Sequence, residues 1–186
     1  IYAAAVLLRA ALTQAPIDFS TALAYRIFGS SANLPVYILP FLIFEFLSNG
    51  EEMGWRGYVL PRLQAKHSAL ASSLMLGLLW GFWHIPKYLA PDYSGSFALN
   101  MIKFVAEAIL YTWLFNNTRG SLLLTAILHA AGNTAGVFLP MATTLSGSNT
   151  DTMIIIVTIE VLIAIVVTIS TGSQRLSQSE AILVQN

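Results

Sequence analysis

Apolar stretches long enough to span, or nearly span, a bilayer recur along this chain between short polar breaks. They cover Ile1 to Leu12, Leu34 past Phe46 towards a pair of glutamates, Ser68 to Leu89, Phe97 to Phe115, Ser121 to Thr143, and Met153 to Ser170. Thr13 to Asn33 is mixed, with Pro16, Asp18, Arg26 and a Gly29-Ser30-Ser31 break, and part of it is expected in the interface. Pro61, Arg62 and Lys66 end the second stretch, and a polar tail runs from Thr171 to Asn186. No internal repeat, low-complexity tract or second domain interrupts the pattern. The prediction is an all-α, polytopic transmembrane helix bundle forming one membrane-embedded domain over 1–186, with a core at 34–138. Because the chain opens at Ile1 inside an apolar run, without a basic start or a clear cleavage site, it is expected to begin within a helix and to lack upstream ones.

Composition sharpens this reading. Only 10% of the 186 residues are charged and 56% are apolar, against about 25% charged in a typical soluble domain. Net charge is zero and there is no basic run, so no nucleic-acid partner is expected. With no cysteine there is no disulfide framework, thiolate metal site or cysteine nucleophile, and any metal would need histidine and carboxylate ligands.

Three polar clusters sit inside the apolar stretches: Glu51-Glu52-Met53-Gly54-Trp55-Arg56, Trp80-Gly81-Phe82-Trp83-His84, and His129-Ala130-Ala131-Gly132-Asn133. Spacings of three or four residues put the polar ends of each on one helix face. An ionisable group at the centre of a membrane helix costs at least about 2.5 kcal/mol, so such groups mark function by default. Glu52 and Arg56 form an i,i+4 pair with the acid first, which as a simple salt bridge would let two charges coexist in an apolar setting. That pairing leaves Glu51 over, and neighbouring carboxylates in low dielectric resist ionising together, a setting suited to a general base.

The bland alternatives have weight. His84 on an aromatic face reads more often as a packed core residue, and the case for it rests on its company. His129 and Asn133, with Gly132 between them for close helix approach, serve equally as interhelical hydrogen-bond glue or as oxyanion donors. Glu45, Glu107 and Glu160 are single carboxylates read as lacking a partner at helical spacing, and His67 is a surface residue of a basic turn. Taken together, the clusters supply a base, a second group to position water, and oxyanion donors, the inventory for acyl hydrolysis. Neither G-x-S-x-G nor H-E-x-x-H is present, so attack by activated water is expected.

Orientation follows from the basic residues. Arg56, Arg62, Lys66, Arg119 and Arg175 fall on one side and Arg26 and Lys87 on the other, five against two, which puts the Pro61–His67 turn and the C-terminus in the cytosol. Glu51, Glu52 and His84 each lie about sixteen residues from the Lys66–Ser68 turn, hence at similar depth at roughly 1.5 Å per residue. His129, ten residues past Arg119, matches that depth if Arg56 to Ser68 is partly interfacial, and the site then lies towards the cytosolic leaflet.

At these residues the chain resembles the CPBP (Abi) family of intramembrane proteases, relatives of the Rce1-type CaaX prenyl endopeptidase. The likeness rests on Glu51-Glu52 with Arg56, Trp80 with His84, and His129 with Asn133. It is supported by Trp55-Arg56-Gly57-Tyr58-Val59-Leu60-Pro61, His84-Ile85-Pro86 and Gly120-Ser121-Leu122, within about Leu34 to Phe138. The resemblance implies an all-helical intramembrane endopeptidase. In it Glu51 activates water with His84, His129 and Asn133 stabilise the oxyanion, and Glu52 and Arg56 orient the first cluster. It leaves metal dependence open: Zn²⁺ held by Glu51, His84 and His129 with water in an open position is one reading, a metal-free site the favoured one. The substrate would be a peptide or protein, lipidated in the CaaX case, though the short loops look bacterial, where the substrate is open. The rival class is a bacteriocin-immunity or regulatory membrane protein that binds a partner without hydrolysis. A transporter would predict paired discontinuous helices or a repeat, and neither is seen.

Overall fold

Each of the six apolar stretches contains a helix in the computed structural model, which describes residues 1–29, 34–48, 50–89, 96–140, 143–144, 147–148 and 150–178. The helices are α1 (Tyr2–Thr13), α2 (Leu23–Phe28), α3 (Leu34–Ser48), α4 (Glu51–Gly54), α5 (Leu60–Gln64), α6 (Ala69–Trp83), α7 (Ile85–Tyr88), α8 (Phe97–Asn117), α9 (Leu122–Phe138) and α10 (Thr150–Thr171). A π-helical turn, Trp55–Val59, joins α4 to α5. Thr143–Thr144 pairs antiparallel with Gly147–Ser148, so the fifth stretch stops being helical at Phe138 rather than reaching Thr143. The Ser30–Ser31 break and the tail beyond Gln178 lie outside the described residues.

Helix starts fall on serines at the polar breaks. Ser68, Ser96 and Ser121 each accept a hydrogen bond from the backbone N–H three residues on, satisfying a donor that the first helical turn leaves orphaned. The third stretch is not one helix. Its first part ends at Trp83, and His84 serves both as C-cap of α6 and as N-cap of α7, because Pro86 has no N–H to continue the ladder. The second stretch also breaks, at Gly50, so the two glutamates open a new helix instead of sitting within the old one.

α8 is the central helix, packed against α6, α9 and α10, while α3 lies on α9 and α1 on α10. Small residues let α6 meet α8 closely: a Cβ on Gly77 would stand 2.6 Å from the Cα of Val105. Three buried hydroxyls are satisfied within their own helices, as Ser73, Thr112 and Thr134 each donate to the carbonyl four residues back, while that of Ser72 has no partner among the described residues. Large apolar side chains face outward, among them Leu39, Phe44 and Leu47 on α3 and Leu162, Val166 and Ile169 on α10. Apolar exterior with charged and hydroxylic residues inside is the distribution of a membrane helix bundle, in which backbone groups are satisfied within each helix. α8 and α10 are long and apolar enough to cross a membrane.

One end of the bundle is tied together by the chain after α10. Gly172, at φ 79°, turns the backbone, and the carbonyls of Ser173 and Gln174 accept from the N–H groups of Leu70 and Ala69 at the start of α6. The amides of Asn116 and Asn117 at the end of α8 donate to the carbonyls of Arg175 and Leu176. Lys66, Arg119 and Arg175 therefore share one end of the bundle. Arg56 does not belong in that set, being fully buried, which changes the basic-residue balance from five against two to four against two.

Candidate functional site

Glu51 and Glu52 occupy the first turn of α4, where backbone N–H groups and the helix dipole favour carboxylates. Glu52 turns inward: its Oε1 accepts from the Arg56 guanidinium at 2.8 Å, with both side chains buried. The same oxygen lies 2.8 Å from Nδ1 of His129 on α9. A carboxylate can only accept from the ring, so Nδ1 carries the hydrogen and Nε2 is turned to the opposite side. The π-helical turn shifts the following residues relative to an α-helix, and π segments of this kind recur at functional sites.

Arg56 sits between two aromatic faces, its Cζ 4.7 Å from the Trp80 ring centre and 4.6 Å from that of Tyr111. Stacking of this sort holds a planar guanidinium where few oxygens are available. Glu52 Oε2 and Arg56 Nε and Nη2 are buried without a hydrogen-bond partner among the described residues. Such leftover capacity suits a pocket that must take up water and a polar ligand.

Trp80 is the hub. Its indole N–H donates to Glu51 Oε2 at 2.7 Å, and the Trp55 indole donates to the same oxygen at 3.3 Å. Glu51, which the sequence leaves without a partner, is held by these two indoles. The Trp80 carbonyl accepts from Nδ1 of His84 at 2.8 Å, again fixing the tautomer and turning Nε2 away from the helix end. The ring meets His129 edge-on at 5.4 Å and lies 6.2 Å from the His84 ring, which in turn stacks on Phe104 at 4.4 Å. One tryptophan thus touches Glu51, Arg56, His84 and His129.

Asn133 stands apart from this buried group. It lies one turn beyond His129 on α9 but is exposed, and its Nδ2 donates to Glu45 Oε2 of α3 at 2.9 Å. Glu45 is therefore partnered, across a helix interface rather than along its own helix. Glu107 is likewise not solitary, since Lys103 pairs with it four residues earlier on α8 and the Tyr2 hydroxyl donates to it at 3.1 Å. The Lys103 spacing was visible in the sequence; Tyr2, 105 residues away, was not. Glu160 is buried on α10, with Oε2 unpartnered among the described residues. His67 is exposed in its turn.

The metal that the resemblance leaves open would need Glu51, His84 and His129 as one set. Among the described residues no three His, Asp or Glu side chains are grouped to hold a metal ion.

Fold and site together define a membrane-embedded helical bundle with an acid, arginine, histidine and tryptophan centre at the meeting of α4, α6, α8 and α9. The family model described as Type II CAAX prenyl endopeptidase Rce1-like matches residues 31–135, more than half of the chain, and the chain belongs to that family. It is 31% identical over 105 residues to CAAX prenyl protease 2 of Methanococcus maripaludis, an alignment covering 52% of this chain and 37% of that protein. The chain thus spans little more than a third of that relative's length. No solved structure matches it significantly.

Proposed function

We propose that this chain is the core of an intramembrane endopeptidase that hydrolyses a peptide bond with water activated by Glu51 and His84. The observation carrying this is the double hold of Trp80, whose N–H fixes Glu51 while its carbonyl fixes His84. Two candidate water-handling groups on different helices are thereby set against one rigid, buried residue. Glu51 takes a proton from water, the hydroxide adds to the peptide carbonyl, and the carbon–nitrogen bond breaks as the proton passes to the leaving amine. Negative charge on the carbonyl oxygen is met by the amide N–H of Asn133 and by Nε2–H of His129 in its imidazolium form, Nδ1–H staying on Glu52. Glu52 orients His129, and Arg56 orients Glu52.

The relative's name and the family point to a peptide ending in a CaaX tail, lipidated beside the scissile bond. The bundle end carrying Lys66, Arg119 and Arg175 faces the cytosol, and the six apolar helices cross or enter the bilayer. Incubation of the purified protein in detergent or proteoliposomes with farnesylated and unmodified CaaX peptides tests this. Release of the terminal tripeptide, read by mass spectrometry, is expected; folded protein that cleaves neither peptide defeats the reading.

A smaller effect is expected at the hub. Trp80→Phe preserves most of the packing but removes the N–H bonded to Glu51, a charge-assisted bond worth about 1.5–3 kcal/mol. Turnover should fall by about one to two powers of ten, and some stability is lost with it, since the bond and part of a buried ring are removed. A full-rate Trp80→Phe enzyme would remove Trp80 from the mechanism.

A further inference from the structure

On the foregoing reading of the site, we infer that Glu45 is a positioning residue that sets the orientation of Asn133 for oxyanion binding. Nothing along its own helix explains a carboxylate at Glu45, which lies amid Phe44, Phe46 and Leu47. Across the α3–α9 interface it meets Asn133, with 2.9 Å from Nδ2 to Oε2. One turn further from the site the two helices are pinned by an edge contact of Phe41 with Phe138, ring centres 5.5 Å apart.

The chemistry of the pair is directional. An asparagine amide can present either its oxygen or its nitrogen, and the two orientations are nearly isosteric. An ionised carboxylate accepts only, so Glu45 selects the orientation in which Nδ2 faces it. That nitrogen has a second hydrogen, which the same bond leaves in a defined direction. His129 is treated in the same way one turn earlier, its Nδ1 held by Glu52. The two proposed oxyanion donors of α9 are therefore each held by a carboxylate from the segment preceding the site, Glu45 on α3 and Glu52 on α4. An oxyanion forms only in the transition state, so misorienting its donor should lower kcat and leave KM alone.

The test is steady-state kinetics on the purified full protein with the best-cleaved CaaX peptide. Glu45→Ala should lower kcat by about tenfold or more, less than the roughly hundredfold or greater loss for removing a donor outright in Asn133→Ala. KM should stay within about twofold. Glu45→Gln, whose amide can present either its oxygen or its nitrogen to Asn133, should recover the rate only in part. In the Asn133→Ala background, Glu45→Ala should cost nothing further, because the group it orients has gone. Should Glu45→Ala fail to fold, Glu45→Asp keeps the charge but withdraws the carboxylate by one methylene, and the same kcat-only loss is required of it. An unchanged kcat in the folded variant, a change confined to KM, or an additive loss in the double variant overturns the assignment while leaving the peptidase reading standing. A wild-type protein that cleaves nothing, or a fully active Glu51→Gln, removes the peptidase reading and this inference with it.

Discussion

Glu51→Gln should leave a folded protein that turns over at least about a hundredfold, and up to about ten-thousandfold, more slowly, the range spanned by loss of a general base. The substitution is nearly isosteric. A glutamine carbonyl still accepts from the Trp80 and Trp55 indoles, so the geometry that holds residue 51 survives. What disappears is basicity: an amide cannot take the proton that water must lose before it attacks. The expected pattern is a collapse in kcat with KM and the unfolding temperature close to wild type. Residual turnover above about a tenth of wild type would show that Glu51 is not the base. A parallel loss of folding would mean that the carboxylate is needed for structure, not chemistry.

Helix placement was legible because it depends on local rules. A bilayer-length apolar run and a serine or glycine break are both short-range features, and α6, α8 and α9 begin within a residue of where the pattern changes. The breaks at Gly50 and His84 were harder to read. Each lies inside an apolar or aromatic context that a hydropathy window passes over, although Pro86 signals the second. The π-helical turn at Trp55–Val59 has no sequence signature at all, since it arises from accommodating one extra residue against the packed neighbours.

Within the site, what could be read was what sits at i,i+4: Glu52 with Arg56, Trp80 with His84, His129 with Asn133. Contacts across helices could not be. Charge pairing at i,i+4 joins Glu52 to Arg56 and leaves Glu51 over, although Trp55 stands at that same spacing from Glu51; across helices Glu52 takes His129 and Glu51 takes Trp80. Asn133 shares a helix face with His129 yet faces a different helix, because one turn along α9 the neighbour changes from α4 to α3. Tyr111 is another contact that forms only across helices. As an aromatic in a long apolar helix it carries no signal until the fold brings its ring against Arg56 of the π-helical turn.

Arg56 is expected to be the most costly single site for stability. Substituting Arg56→Met removes the cation but leaves Glu52 in its buried place, with only His129 beside it. Breaking one side of a buried ion pair typically costs about 3–5 kcal/mol, because the remaining charge stays desolvated. Glu52→Gln should be damaging in the mirror sense, stranding a guanidinium between the Trp80 and Tyr111 faces. The informative variant is the double one. With Arg56→Met and Glu52→Gln together no unpaired charge remains, the glutamine oxygen can still accept from His129, and a thioether fills the space between the rings. Stability should return to within about 1–2 kcal/mol of wild type, measured by reversible unfolding in mixed micelles, whereas activity should not return. Additive single and double losses would show that neither charge depends on the other. A single Arg56→Met variant as stable as wild type would mean that the buried pair contributes nothing to holding α4 against α6 and α9.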